Sequence, residues 1–167
     1  MDGRRGLYGL FEDLPIQMCH FHQQQILIRY LTRNPQSEAA KNLKRIAAFL
    51  GRISAYRFSL LLDAWYRRHR DYYEERTPDE SKRGWHYKHK RLRSAYRSLR
   101  NNLPYLFTYR TYPELNIPNT TNVLDGGCFA PMKMLLKIHR GIGIDMKKKL
   151  IIDFILRRMN QQHGNDL

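Results

Sequence analysis

The sequence is short of acid: among 167 residues, fifteen Asp and Glu face thirty Lys and Arg, a formal net charge of +15. Such an imbalance repels itself in a compact monomer unless a polyanion is close, and nucleic acid is the usual one. Cysteine is nearly missing. Cys19 and Cys128 are the whole set, which excludes a disulfide scaffold and fits a reducing cytoplasm. No apolar run approaches the roughly 20 residues of a membrane-spanning helix, and "MDGRRGLYGLFEDLP" at the start lacks the apolar core of a secretory signal. A membrane is therefore not the expected partner. Strand signals are also few: "LPIQMC" is the one plausible strand, closed by a polar run. The sequence contains neither an internal repeat nor a low-complexity tract.

What is present is helical periodicity in a chain long enough for one real core. "HFHQQQILIRYLTR" places Ile26, Tyr30 and Leu31 at helical spacing. Asn34 and Pro35 read as a cap and first-turn proline for a helix with Ala39, Leu43, Ile46, Ala47 and Leu50 on one face, ended by Gly51. Residues 55–75 predict another, with Phe58, Leu61, Leu62, Trp65 and Tyr72 inward, and "TPDESKRG" is a polar connection. In "WHYKHKRLRSAYRSLRNNL", Leu92, Tyr96, Leu99 and Leu103 form the apolar stripe. Lys90, Arg93, Arg97 and Arg100 fall on another face within roughly an 80° arc at 3.6 residues per turn. No acid occurs from Ser81 through Pro113, so this face is expected to meet phosphate rather than solvent alone. Trp85, Tyr87 and Tyr96 suit base stacking, although helical spacing favours the core for them. Downstream, "FAPMKMLLKIHRG" turns Met132, Leu135 and Leu136 inward and sets Lys133, Lys137 and Arg140 along another side. Asp145 is expected to cap a last helix.

Three local features carry candidate chemistry. Asp2-Gly3 is by itself only a turn signal. Cys19 and His22, in "CHFH", match half of a zinc site. A structural zinc wants four ligands at paired spacings and no second pair appears, so a buried cysteine and a hydrogen-bonded histidine are preferred to zinc. In "NTTNVLDGG", Asp125 has two readings: the third position of a helix capped by Asn122, or a metal ligand.

Taken in order, "DG…GL…LPIQMCHFHQ…RYLT", a basic helical stretch, and "NIPNTTNVLDGG…MKMLLKIHRG" resemble the C-terminal part of bacterial insertion-sequence transposases of the Mutator-like DDE class. The resemblance spans nearly the whole chain. It is specific in the Q-x-C-x-x-H and TTN-x-L-acid-G blocks, and weak in the basic helices between. It implies a mainly α chain: a partial ribonuclease-H-like α/β core, with at most one or two short strands, interrupted by a large helical insertion. Residues 1–25 would belong to the catalytic core, 26–118 to the insertion, and 119–167 to the C-terminal core helices. Asp2 matches the family's second catalytic acid, Asp125 the third (usually Glu), Cys19 and His22 the Cys-x-x-His signature, and Asn119, Thr120, Thr121 and Asn122 the polar lead-in. Asp2 and Asp125 would then bind Mg2+ or Mn2+. Lys133 and Lys137, a turn or more past Asp125, suit phosphate contacts near the scissile bond, although lysines opposite Met132 and Leu136 are equally expected on a solvated face.

The implied reaction is metal-dependent DNA strand cleavage and transfer within an oligomeric transposition complex on the bacterial nucleoid. The first catalytic Asp of the family would lie upstream of Met1, so the chain alone is expected to be inactive. The alternative is a non-catalytic, basic helical module that binds nucleic acid. Pro131 cannot donate a hydrogen bond to Gly127, so the helix carrying Lys133 is expected to kink or start afresh there, leaving Asp125 on a short turn before it.

Overall fold

The computed structural model describes residues 3, 5–11, 13–78, 84–121 and 125–163. Asp2 and Asn122 lie outside the described residues, as does the side chain of Asp125. The chain forms two units, Met1–Thr120 and Thr121–Leu167. The expected boundary after residue 118 falls near that division, whereas the one after residue 25 falls inside a helix.

The first unit opens with α1 (Arg5–Tyr8), then an extended stretch over residues 15–19, then α2 (His20–Leu31). That stretch is the expected strand, yet it pairs with no strand among the described residues. Ser37, not Asn34, caps α3 (Glu38–Ala47): its hydroxyl accepts the Ala40 N–H at 3.3 Å, a cap worth about 1 kcal/mol. Glu38 in the first turn adds charge of the sign this helix end favours. Ser54 starts α4 (Ala55–Glu74) in the same way, through the Arg57 N–H.

A non-helical residue inside α4, His69 (φ −113°, ψ 18°), shifts the phase of its apolar face. As a result Tyr73 is buried, and Tyr72, the expected inward residue, is 37% exposed. After α4 come two short antiparallel strands, β1 (Arg76–Pro78) and β2 (Trp85–Tyr87), with Arg76 opposite Tyr87 and Pro78 opposite Trp85. The helix expected from Trp85 therefore begins only at Lys90. Alternating aromatics at 85 and 87 suit a pleated edge better than a helix.

Helix α5 (Lys90–Leu106) runs through Pro104 and is followed by α6 (Thr108–Thr111) and a 3-10 turn, Pro113–Leu115. Helix α2 packs on α3 and α5, and α4 packs on α3 and α5, closing a ring of four. Inside it lie Leu27, Leu31, Leu43, Phe58, Leu62, Trp65, Tyr96 and Leu99. The Trp65 indole N–H donates to the Ala39 carbonyl at 2.8 Å, fixing α3 on α4, and its ring stacks on Tyr96 with centroids 5.0 Å apart. Truncating a fully buried leucine such as Leu43 or Leu99 costs about 2–5 kcal/mol in cores of this kind. The fold is mainly α, as the sequence implies.

In the second unit a π turn, Asp125–Phe129, leads into α7 (Ala130–Ile138), and α8 (Ile144–His163) follows. The π turn runs directly into α7 through Phe129, whose backbone is helical, so the chain widens there and does not break, and Asp125 is the first residue of the turn. Asp145 sits in the first turn of α8 rather than capping it, 3.6 Å from Lys148. No helix among the described residues is long and apolar enough to cross a membrane.

Candidate nucleic-acid interface

The block around Cys19 and His22 is positioned by the end of α5. A helix leaves its last carbonyls without intrahelical donors, and here the extended stretch supplies them. Met18 donates its N–H to the Tyr105 carbonyl at 2.8 Å, while the Gln17 amide donates to the Leu106 carbonyl at 3.1 Å and accepts the Tyr109 N–H at 3.0 Å. The Thr108 hydroxyl donates to the Ile16 carbonyl at 2.6 Å, and the His20 N–H to the Asn119 carbonyl at 2.9 Å. A carbonyl can only accept, so His20 Nε2 carries the proton in its 2.6 Å bond to Leu106. Burial lowers the His20 pKa from its ordinary 6.5; the Leu106 bond opposes this, and nearby Arg110 adds to it.

Cys19 is buried immediately before α2 as expected, but His22 Nδ1, expected to be hydrogen-bonded, is buried without a partner among the described residues. Among the described residues no group of three or more potential metal ligands gathers. Gln23, fully buried, receives a hydrogen bond from Asn102 at 2.7 Å and donates to Ser98 at 3.1 Å, tying α2 to α5. Sequence reasoning missed Gln17, His20 and Gln23. A helical wheel carries part of the signal, because His20 and Gln23 share a face with Leu27 and Leu31. Gly51 closes the same region. Its φ of +82° suits glycine, and a Cβ there would meet His20 Nδ1 at 3.4 Å.

The basic face of α5 is divided. Arg93, whose side chain is 14% exposed, donates to Glu74 and to the Tyr73 carbonyl, each at 3.0 Å, and lies 3.3 Å from the Tyr87 ring centroid. Arg100 bonds to Asp63, to the Ser59 hydroxyl at 3.3 Å and to the Tyr96 hydroxyl at 3.1 Å. These two arginines therefore hold α5 against α4. Lys90 and Arg97 are exposed and have no ion-pair partner among the described residues. Trp85 is 49% exposed on β2 with the Arg76 guanidinium 3.7 Å from its ring centroid, whereas Tyr96 is in the core.

In the second unit Lys133, Lys137 and Arg140 are exposed and likewise lack ion-pair partners among the described residues, while Met132, Leu135 and Leu136 are half-buried. Asp125 stands at the first residue of the π turn before α7, and its pairing with Asp2 rests on the resemblance alone. No protein-family model, curated protein or solved structure matches the chain.

Proposed function

We propose that the chain is the C-terminal part of a DDE transposase and that its helical ring holds DNA in an oligomeric transposition complex on the bacterial nucleoid. The observation that supports the DNA-binding half is that exposed cations without ion-pair partners among the described residues occur in both units, among them Lys90 and Arg97 on the helical ring and Lys133, Lys137 and Arg140 on α7 and just after it. Cations left outward in this way attract phosphate and release its counterions. The transposase half rests on the ordered motifs, which give Asp2 and Asp125 the role of holding Mg2+ or Mn2+. Bound there, the metal would activate the attacking hydroxyl and stabilise the leaving oxygen in strand cleavage and transfer.

A salt titration of DNA binding by the full chain tests the first half. Affinity should fall steeply between about 50 and 200 mM salt, and a flat response would remove nucleic acid as the partner. The second half is tested by metal-dependent cleavage with an upstream segment carrying the first acid supplied in trans. Asp125→Ala should abolish it, and unchanged cleavage would take Asp125 out of the mechanism.

One observation favours the alternative, a non-catalytic binding module. The carbonyl of Ile16 and the N–H of Met18 are already committed to Thr108 and Tyr105, so that edge of the extended stretch is not open to a neighbouring strand. On that reading, DNA binding persists in Asp2→Ala and Asp125→Ala.

A further inference from the structure

The loop between α2 and α3 and the start of α5 form the two walls of a groove of about 410 Å3. Its size falls in the roughly 300–1,000 Å3 range of pockets that enclose small ligands. Tyr30 and Pro35 line one wall, and His89, Lys90 and Arg91 the other, with Tyr72 between them. The kink at His69 leaves Tyr72 37% exposed, and one face of its ring stacks on His89 with centroids 3.6 Å apart and planes 21° apart. Glu75 fixes that pair by accepting the His89 Nε2–H at 2.7 Å, and it also holds Lys88 at 2.6 Å. Arg91 is anchored as well, donating to the Arg29 carbonyl at 2.5 Å while remaining exposed. The wall thus presents Lys88 and Arg91, each held by a hydrogen bond, and the exposed Lys90, against the single carboxylate of Glu75.

We propose that this groove binds an unpaired stretch of DNA strand, one base stacking on the Tyr72–His89 pair and the adjoining phosphates meeting Lys90 and Arg91. The inference rests on the DNA-binding reading above and specifies the form of the ligand. A duplex keeps its base faces covered by their neighbours, so an aromatic platform inside a groove has nothing to stack on until the strand is unpaired. Every base offers a π-face, so the site is tolerant of sequence. The basic wall supplies the backbone contacts that make such binding sensitive to salt.

The test uses the full chain, a labelled 12-nucleotide oligo-dT and a labelled 12-base-pair duplex, with fluorescence anisotropy at about 50 mM salt. Tyr72→Ala should weaken single-strand binding about 5- to 100-fold and lower the ratio of single-strand to duplex affinity. Tyr72→Phe, which keeps the ring, should restore both to within about 2-fold. Oligo-dT carrying 5-iodouracil should photocrosslink to the peptide that contains Tyr72, a readout that needs no variant. Wild-type single-strand affinity in Tyr72→Ala, or crosslinks that avoid that peptide, would overturn the groove while leaving DNA binding in place. If neither oligonucleotide binds, the DNA-binding reading itself fails.

Discussion

Two adjoining strips of α5 carry the same kind of charge and use it oppositely. Arg93 and Arg100 turn toward Glu74 and Asp63 and spend their hydrogen bonds on the neighbouring helix, whereas Lys90 and Arg97 are left in water. A cationic stripe read from sequence is thus a sum of two populations. The members that find a carboxylate on an adjacent helix become packing residues. The members that find none remain available to an outside anion. Net charge by itself does not separate them, because the acids that sort them lie on α4, far away in sequence.

Replacing the inward arginines should produce the largest effect. Arg93→Ala is expected to cost about 2 kcal/mol of unfolding free energy, through lost charge-assisted hydrogen bonds and an orphaned Glu74. Arg100→Ala should cost less, about 1 kcal/mol, because the Asp63 side chain is 41% exposed and water screens the pair. Urea denaturation measures both. An unchanged midpoint combined with weaker DNA binding would place these arginines in the outward population after all.

Lys90→Ala and Arg97→Ala sharpen the contrast from the other side. Each should leave thermal stability unaltered, weaken DNA binding about 3-fold, and make the plot of log affinity against log salt shallower by about 1. Equal loss of stability in these variants would erase the distinction between the two groups.

A pH series probes the ring itself. Burial lowers the pKa of His20, so the folded protein prefers it neutral, and the unfolded chain takes up the extra proton. Its contribution is complete above the ordinary value of 6.5 and declines as pH falls below it. His69 acts in the same direction: burial first, then Arg68, lowers its pKa, and the Asn42 amide donates to its Nε2 at 3.2 Å. Thermal midpoints should therefore drop on acidification, and His20→Gln should flatten part of that drop. A slope unaffected by the substitution would assign the response to other groups.

The smallest effect is expected from Asp63→Asn. Removing the carboxylate that occupies Arg100 should raise DNA affinity about 2-fold, as one more cation becomes available, at some cost in stability. Titration of the variant beside Arg100→Ala, in which no cation is released, distinguishes this from a general loosening.

Much of the helical frame was legible because its apolar residues recur at helical spacing, as at Leu43 and Ala47 or Leu92 and Leu99. An irregularity near Pro131 was legible because proline lacks an N–H, and the structure gives it as a π turn continuous with α7. The exceptions share a physical origin. Periodicity places Tyr72 inward because it assumes an unbroken helix, and His69 breaks it. Spacing joins Trp85 and Tyr87 to the following helix because their β-sheet partner lies across a connection that it does not bridge. Gln17, His20 and Gln23 escaped notice because polar side chains are expected outside unless their buried partners are known. For the proposed site, the cations were visible as a group, but their division required the positions of Asp63 and Glu74.

The tie between Ile16 and Thr108 joins residues 92 apart in sequence. Closing so long a loop is entropically uphill before any contact offsets it, and contacts of this separation slow folding. During synthesis, residues 15–19 must therefore wait for the last turn of α5 and the start of α6 to emerge before their backbone groups find these partners. A chain cut short ahead of Tyr105 would leave that segment without its acceptors, exposed to aggregation or to proteases.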